Sequence, residues 1–376
     1  MNNKLIIDFI KPEGIYFLNH SVGCFSAEQE LVKNEYFNLW KKKGGFAWDE
    51  WLPSISKYHE ALALLLNGKE NEFCYQNNIS TGFIKILSAL PRRNERKKIL
   101  ISDLEFPSII LILKKFLQNE YEIKIIKSKN GMVPFDEWEK ELDINTQIAI
   151  ISHSTYATSY KNSIHQIANK CRDHDVFCLI DIAQSVGVIP IDLQDLNCDF
   201  VMGSCIKWVC GGLGAGFIWI NEKMIENLQN RLCGWFSLEN IFTEDIMDFK
   251  MIKSASQFLD GTPSVLPMML ATVSIHKIKR IGVDFIYNIN QKYIDSLINF
   301  ISDFKSLSIL SPMDKNQRGG TLVIKSNDDQ NLLDFLLKKN VYVDRKENYG
   351  IRVSPHVYNT SEEIEQFKKL LASYTD

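Results

Sequence analysis

An aspartate and a lysine lie at or just after the ends of two apolar segments that have the composition of buried strands. Asp181 lies near the end of segment 176–182, and Lys207 comes after segment 199–204, just before a glycine-rich turn. Open α/β sheets bind their ligands at the carboxyl ends of such strands. The apolar residues around Lys207 would desolvate its amine and lower its pKa. A desolvated lysine is a nucleophile that can form a Schiff base, so this pair predicts that chemistry.

Two other segments carry groups that bind anions. Residues 78–82 follow the first predicted strand and open a helix, where backbone N–H groups are free to meet a phosphate. Ser80, Thr81 and Gly82 are the predicted cradle. Arg352 lies near the C-terminus, and its planar guanidinium makes paired hydrogen bonds to a carboxylate that lysine cannot reproduce. The alternatives are an ordinary helix N-cap at 78–82 and a structural salt bridge at Arg352.

Composition excludes several classes of protein. The chain has 376 residues, of which 45% are hydrophobic and 24% charged, as in an ordinary globular enzyme. Its 43 lysines and arginines are balanced by 46 aspartates and glutamates. Proteins that bind nucleic acids or membrane surfaces have an excess of basic residues, so the composition argues against both classes. No apolar run approaches the roughly 18–20 residues of a membrane span, and the N-terminus does not resemble a signal peptide.

The cysteines indicate a reducing environment. There are eight, none forms a CxxC pair, and most lie in apolar, strand-like surroundings. This pattern is typical of buried thiols rather than of disulfides or a zinc site. We therefore expect a cytoplasmic protein without a bound metal.

Seven apolar runs between residues 72 and 220 are rich in Ile, Val and Phe, as expected of parallel strands that are covered on both faces. They lie at 72–76, 97–103, 122–127, 147–153, 176–182, 199–204 and 216–220. Helical patterns alternate with them at 81–90, 108–117, 134–142 and 164–173. The alternation predicts an α/β fold built on a large, doubly wound, mainly parallel seven-stranded sheet.

The pattern changes after about residue 262. Two long helices are predicted there, at 266–281 and 284–304. Short strands and two more helices follow, at 321–325, 341–343, 350–353, 330–339 and 360–372. We therefore predict a large α/β domain over 21–261 and a smaller α+β domain over 262–376, with residues 1–20 packing on the small domain.

Short motifs are spread over nearly the whole chain. They are Asp-x-x-Gln-x-x-Gly at 181–187, Lys-Trp and a glycine-rich turn at 207–216, Ile-Tyr-Phe-Leu-Asn-His-Ser-Val-Gly at 15–23, Gly-Trp-Phe at 234–236, Phe-Leu-Asp-Gly-Thr-Pro at 258–263 and Ile-Arg-Val-Ser-Pro-His-Val-Tyr-Asn-Thr at 351–360. As a set they resemble the class V aminotransferase superfamily of fold-type I pyridoxal-phosphate (PLP) enzymes. Within it they are similar to the kynureninase and isopenicillin N epimerase-like branch.

The resemblance assigns parts to the residues around the cofactor, pyridoxal 5′-phosphate. It implies that Lys207 holds the cofactor as a Schiff base and moves the substrate α-proton, and that Asp181 keeps the pyridine nitrogen protonated. The other cofactor-binding residues that it implies are Ser80, Thr81, Gly82, Phe106, His153, Gln184, Trp235 and Thr262. Among these, Phe106 matches an aromatic residue that stacks on the ring, and Gln184 matches a donor to the phenolic oxygen.

The resemblance also implies a substrate site and a partner. Arg352 matches the residue that binds the α-carboxylate of an L-amino acid, and His20 is expected to face the substrate. Trp235 and Thr262 resemble residues that reach the cofactor phosphate across a dimer interface. A homodimer with a shared active site is therefore expected.

The reaction is less narrowly specified than the cofactor. Ile206, Ile109 and Gln184 replace a Tyr, an Asp and a His that are common in kynureninases, which argues against kynurenine itself as the substrate. No cysteine follows Cys233, so residues 311–320 lack the nucleophile of a persulfide-forming cysteine desulfurase. Direct β-elimination needs no such cysteine. We therefore predict cleavage or elimination at the substrate side chain.

Other functions stay open at this point. An aminotransferase or an epimerase of the same superfamily would use the same cofactor machinery, and a non-catalytic scaffold could retain the fold. A nicotinamide dehydrogenase is the alternative from a different class. Its Gly-x-Gly-x-x-Gly turn would have to lie between a strand and a helix, whereas glycine-rich residues 211–216 precede a strand.

Overall fold

The computed structural model describes residues 6, 8–93, 95–117, 120–243, 245, 247 and 249–375. Its strands are β1 (Phe9–Ile10), β2 (Ile15–Tyr16), β3 (Phe25–Ser26), β4 (Phe73–Gln76), β5 (Lys98–Ser102), β6 (Glu122–Ile126), β7 (Thr146–Ser152), β8 (Phe177–Asp181), β9 (Phe200–Ser204), β10 (Gly216–Ile220), β11 (Leu307–Ile309), β12 (Leu322–Ser326), β13 (Val341–Tyr342), β14 (Asp344–Lys346) and β15 (Gly350–Val353).

The α-helices are α1 (Ala27–Lys43), α2 (Trp48–Trp51), α3 (Pro53–Leu66), α4 (Ile79–Ala89), α5 (Pro107–Phe116), α6 (Phe135–Glu141), α7 (Ile164–Asp173), α8 (Glu222–Ile225), α9 (Val265–Ile281), α10 (Val283–Ile301), α11 (Asp329–Lys338) and α12 (Ser361–Thr375). Short 3₁₀ turns cover Gly44–Ala47, Glu70–Glu72, Trp235–Ser237, Ala255–Phe258 and Lys315–Gln317.

The largest sheet has seven strands in the order β4-β10-β9-β8-β7-β5-β6. Strands β5 to β9 are parallel, and β10 lies antiparallel between β4 and β9. Every residue of β7, β8 and β10 is buried, because helices and loops cover both faces of the sheet. The predicted α/β fold with a mainly parallel seven-stranded sheet is confirmed, and all seven predicted strands agree with it to within one residue at each end.

Two helices in the N-terminal part are not predicted by the apolar pattern. In α1, Gln29 is the buried residue, and the rest of the helix is mostly charged or polar. A helix without a continuous apolar stripe gives no periodic signal. Helix α3 does bury one face, with Tyr58, Leu62 and Leu66 against the core, and Pro53 opens it at a position where a missing N–H costs no hydrogen bond.

A second apolar core lies in the C-terminal part. Helices α10, α11 and α12 pack there with the four-stranded sheet β11-β12-β15-β14. Strand β2 joins this unit through parallel pairing with β13. Helix α9 instead buries Met268, Ala271 and Ile275 in the large core. The domain boundaries at 20/21 and 261/262 stay predictions, and the packing of α9 favours a later second boundary.

Two kinds of feature are absent from the described part of the chain. None of its helices combines the length and apolar character that crossing a membrane requires. Its His, Cys, Asp and Glu side chains form no group of three or more that could hold a metal ion.

Candidate active site

Three polar side chains stand at the carboxyl ends of adjacent parallel strands. Ser152 ends β7, Asp181 ends β8 and Ser204 ends β9. Ser152 and Asp181 are direct neighbours in the strand register. Parallel strands bring their carboxyl ends to one edge of the sheet, where open α/β sheets bind ligands.

A cavity of about 230 Å³ lies at this edge. Its wall combines the strand ends with the first turn of α4, the start of α5 and the turn after β9. The lining residues are Asn78, Ile79, Ser80, Phe106, Ser108, Ile109, Ser152, Ser154, Tyr156, Asp181, Ala183, Gln184, Ser204, Ile206 and Lys207. The cavity thus brings together five predicted site residues, namely Ser80, Phe106, Asp181, Gln184 and Lys207.

Asp181 is a buried carboxylate in which one of the two oxygens accepts a hydrogen bond. Its Oδ1 accepts a 2.8 Å hydrogen bond from the backbone N–H of Ala183, and Oδ2 has no hydrogen-bond partner among the described residues. Burial raises the pKa of Asp181, while the Ala183 N–H and the nearby charge of Lys207 oppose the rise. A carboxylate in this state readily accepts a hydrogen bond from a protonated nitrogen.

Lys207 supplies the amine of the cavity. The residues beside it, Cys205, Trp208 and Val209, are buried, and the amine forms no hydrogen bond or ion pair within the described part of the chain. Desolvation lowers the pKa of Lys207 to about 8, with Asp181 raising it and Arg352 lowering it further. A substantial fraction of the amine is therefore neutral and nucleophilic near pH 8.

The N-terminus of α4 forms another part of the wall. Asn78 caps the helix, because its Oδ1 accepts a 3.0 Å hydrogen bond from the N–H of Thr81. Ser80 lines the cavity, whereas the Thr81 hydroxyl donates to the Asn78 carbonyl. A Cβ at Gly82 would come within 2.7 Å of Ile218, so packing of the helix on β10 is enough to require glycine there. Of the predicted cradle, Ser80 is the member that reaches the cavity.

Aromatic and amide side chains form the remaining wall. The rings of Phe106 and Tyr156 meet edge to face at 5.2 Å, and Phe106 is 45% exposed, so it can stack on a planar ligand. The Gln184 amide donates to the His20 carbonyl at 3.0 Å and accepts from the Trp208 indole at 3.4 Å. One N–H of this amide is still available for a ligand.

Three predicted cofactor-binding residues lie away from the cavity. His153 is buried and lines a separate cleft, and burial lowers its pKa to about 3. Trp235 and Thr262 are exposed on the surface of the single chain. Their segments adjoin, because the N–H of Phe236 donates to the Asp260 carbonyl at 3.2 Å.

Arg352 and His20, the two predicted substrate-binding residues, lie next to the cavity rather than in its wall. Arg352 donates from Nη1 to the carbonyl of the cavity residue Tyr156 at 3.1 Å, and it forms an ion pair with Asp344. His20 is buried, and its two ring nitrogens contact Asp344 and Ser354. His20 thus contacts Asp344, the ion-pair partner of Arg352, and its predicted position facing the substrate stays a prediction.

Some residues of this region escape analysis of the sequence. Ser152 and Ser204 could have been found from their strand-end positions, which they share with Asp181. Asp344 stands directly opposite Arg352 in the β14–β15 hairpin, but this pairing depends on a strand of three residues that the sequence does not reveal.

Glu105 is a second buried carboxyl group beside the cavity. It accepts hydrogen bonds from the hydroxyl of Ser102 at 3.0 Å, and from the N–H and hydroxyl of Ser152 at 3.2 and 2.5 Å. Burial raises the pKa of Glu105 to about 7; these hydrogen bonds lower it and the charge of Asp181 raises it further. Above pH 7 the folded protein must hold this carboxylate ionised in its interior.

The Glu105→Gln variant tests how much the ionisation of this buried carboxyl group destabilises the fold. The raised pKa means that Glu105 stabilises the fold below about pH 4, and that this contribution is lost as the pH rises through 7. Glutamine imitates the protonated acid, so the stability advantage of the apo variant over the wild type should grow by roughly 2 kcal/mol between pH 5 and pH 8. Thermal unfolding at both pH values measures the difference. The exposed Glu13→Gln is the control, and an equal shift at both pH values would contradict the prediction.

Comparison with known proteins places these features in a family. The sequence model of the class-V aminotransferases matches residues 49–367. An uncharacterised aminotransferase, YcbU of Bacillus subtilis (strain 168), is 24% identical over 89% of this chain and 86% of its own length. A kynureninase of Shouchella clausii (strain KSM-K16) is 25% identical over 95% of this chain and 87% of its own.

Solved structures with low sequence identity share the fold. The apo cysteine desulfurase of Thermococcus onnurineus NA1 aligns with a TM-score of 0.89 at 18% identity, over 99% of this chain and 98% of its own. The cystine C–S lyase C-DES, in complex with its product cysteine persulfide, aligns with a TM-score of 0.88 at 19% identity, over 96% of this chain and 97% of its own. Both alignments support the fold over nearly the full length.

Proposed function

Because the chain belongs to the class-V aminotransferase family, whose members are PLP-dependent enzymes, we propose that it uses pyridoxal 5′-phosphate to cleave or eliminate the side chain of an L-amino acid. The observation that carries the proposal is that Lys207 and Asp181 line one cavity at the carboxyl edge of the sheet. The kynureninase relatives and the structurally similar C–S lyase support side-chain cleavage.

The residues of the cavity fit this cofactor. Among the described residues, the desolvated amine of Lys207 has no partner, and one oxygen of the Asp181 carboxylate is free. Phe106 offers a ring face, Gln184 a spare N–H, and Ser80 a hydroxyl at a helix start that suits an anion. When bound, pyridoxal phosphate supplies an aldehyde that captures amines and an electron-withdrawing ring.

Lys207 and Asp181 have complementary tasks in this proposal. The Lys207 amine would hold the cofactor, and it is the base that would accept the proton from the substrate α-carbon. Its pKa of about 8 suits a general base, because a large fraction is neutral at the pH at which it must accept that proton. Asp181 would hold a proton on the pyridine nitrogen, since a buried carboxylate favours a positive charge beside it.

Arg352 is the proposed site for the substrate α-carboxylate. It is largely buried, lies beside the cavity residue Tyr156 and influences the charge state of Lys207. A guanidinium in that position selects amino acids over simple amines. The side chain of the substrate would then meet the apolar part of the wall, which includes Ile109 and Ile206.

Direct elimination is favoured over persulfide chemistry. No cysteine follows Cys233 in the sequence, so residues 311–320 offer no thiol to take up sulfur from the substrate. Elimination requires only a base and an electron-accepting cofactor. Similarity to the uncharacterised aminotransferase YcbU keeps amino transfer as the second candidate.

We also propose that the enzyme is a homodimer in the cytoplasm. Trp235 is 39% exposed and Thr262 is exposed on the single chain, which supports their reaching the phosphate site of a second copy. Seven of the eight cysteines are buried and all eight are free thiols, which supports a reducing compartment.

Absorbance spectroscopy of the purified holoenzyme tests the proposed function. A panel of L-amino acids that includes kynurenine and S-substituted cysteines is added; a substrate among them should change the visible spectrum, and product analysis should find a released side-chain fragment without an added oxo-acid. Turnover that requires an oxo-acid would assign an aminotransferase, and inverted stereochemistry without fragmentation would assign an epimerase. A colourless protein that stays colourless with added pyridoxal phosphate would contradict the proposal.

A further inference from the structure

The guanidinium of Arg352 already has a carboxylate partner within the chain. Asp344 and Arg352 face each other across antiparallel strands β14 and β15. Asp344 Oδ1 accepts from Nε at 2.8 Å, and Oδ2 accepts from Nη2 at 2.5 Å. The Arg352 side chain is only 12% exposed. Paired bonds of this kind hold the plane of the guanidinium in one orientation.

Arg352 still has donors for a second carboxylate. A guanidinium carries five N–H groups. Asp344 takes two of them, and the Tyr156 carbonyl takes a third, from Nη1 at 3.1 Å. One N–H therefore remains on Nη1 and one on Nη2, which is the number that a carboxylate needs for a two-point contact.

His20 orients Asp344 from the other side. Burial lowers the pKa of His20 to about 4, so its ring carries a single proton near pH 7. Asp344 can only accept, which assigns the proton to Nε2, 2.9 Å from Oδ1. His20 Nδ1 then accepts from the Ser354 hydroxyl at 2.7 Å, and Ser354 accepts from Thr321 at 2.8 Å. This hydrogen-bond chain runs in one direction, from Thr321 to Asp344.

We propose that Asp344 and His20 are positioning residues, which orient Arg352 so that its two free N–H groups bind the α-carboxylate of the substrate. This inference rests on the proposed function, because it takes the substrate to be an α-amino acid. The Asp344–Arg352 pair has no net charge, so recognition depends on the geometry of the hydrogen bonds rather than on long-range attraction. If Asp344 instead competed with the substrate for Arg352, its removal would strengthen binding.

The experiment compares two probes that differ only in the α-carboxylate, S-methyl-L-cysteine and 2-(methylthio)ethylamine. Their apparent Kd values are measured from changes in the visible absorbance of the holoenzyme. His20→Ala conserves charge but frees Asp344, and should weaken the amino acid about 10-fold while leaving the amine within a factor of two. His20→Gln should recover most of the loss, because an amide can donate an N–H to Asp344 and accept from Ser354 with its oxygen.

Asp344→Asn should also weaken the amino acid selectively, because one remaining acceptor oxygen cannot grip two guanidinium nitrogens. The control is Glu347→Gln, which removes a negative charge from the exposed turn of the same hairpin and should change neither Kd. Cofactor content and thermal unfolding identify variants that fail to fold.

Each outcome has a defined meaning. Tighter binding of the amino acid by Asp344→Asn would overturn the inference, as would equal losses for amino acid and amine in His20→Ala. A wild-type holoenzyme that binds both probes equally would defeat the inference and leave the cofactor chemistry standing. A wild type that responds to neither probe would count against the proposed function and, with it, this inference.

Discussion

The Lys207→Ala variant is expected to lower kcat by at least about 10³-fold and to lose covalent attachment of the cofactor. In the proposed function this side chain would be both the amine that attaches the cofactor and the base of the cavity, and removing a positioned base alone costs about 10²–10⁴-fold. Borohydride reduction followed by peptide mapping, together with steady-state kinetics, measures both effects. Lys161→Ala is the matched control, because burial also lowers the pKa of Lys161, but it lines a different cleft.

The assignment of Lys207 also predicts how the rate of cofactor attachment depends on pH. A lysine attacks an aldehyde only when neutral, so the rate of covalent capture by wild-type apoprotein should rise with pH and level off above about 8. The Lys161→Ala control should retain this profile. The assignment would be contradicted if borohydride reduction of the Lys207→Ala protein still fixed the cofactor to another lysine.

The Asp181→Asn variant is expected to retain the cofactor and lose about 10²–10³-fold in kcat. The asparagine keeps the shape and the acceptor for the Ala183 N–H, but it lacks the negative charge that, in the proposed function, would hold a proton on the pyridine nitrogen. Loss of one preorganised electrostatic contact typically has an effect of that size. Kinetics on variants matched for cofactor content measure it.

The control for this substitution is Asp199→Asn. Asp199 is also largely buried, and burial raises its pKa to about 6, but it precedes β9 at the opposite edge of the sheet, where it accepts from the Cys178 N–H. Its replacement should leave kcat within a few-fold of the wild type. Equal losses in the two variants would mean that Asp181 acts through stability rather than through the cofactor.

A strand or helix could be predicted from the sequence when the pattern that specifies it lies within its own segment. Apart from the partly exposed edge strand β6, the strands of the large sheet are apolar runs because both faces are covered, so each is visible in its own five to seven residues. Helix α7 agrees with its predicted bounds, since its buried residues recur with helical spacing. Helix α1 carries no such stripe, and it is held by tertiary contacts such as that of Gln29 with the Cys210 carbonyl.

In the candidate site, too, some residue positions follow from the local sequence and others depend on distant residues. That Asp181 and Lys207 would lie near each other followed from a general rule about strand ends. The local positions of Gly82, His153 and His20 depend on neighbours that are distant in the chain. Gly82 lies against Ile218, and His20 contacts residues 344 and 354.

By itself, the sequence determined the α/β class, the central sheet and the pair of residues, Asp181 and Lys207, that line one cavity, because hydrophobic periodicity and strand ends are local properties of the chain. Only the tertiary structure decided that Arg352 is held by Asp344 and His20, and that Glu105 is an ionisable group beside the cavity. Hydrogen-bond geometry and desolvation arise from groups brought together from far apart in the chain, and no segment contains that information alone.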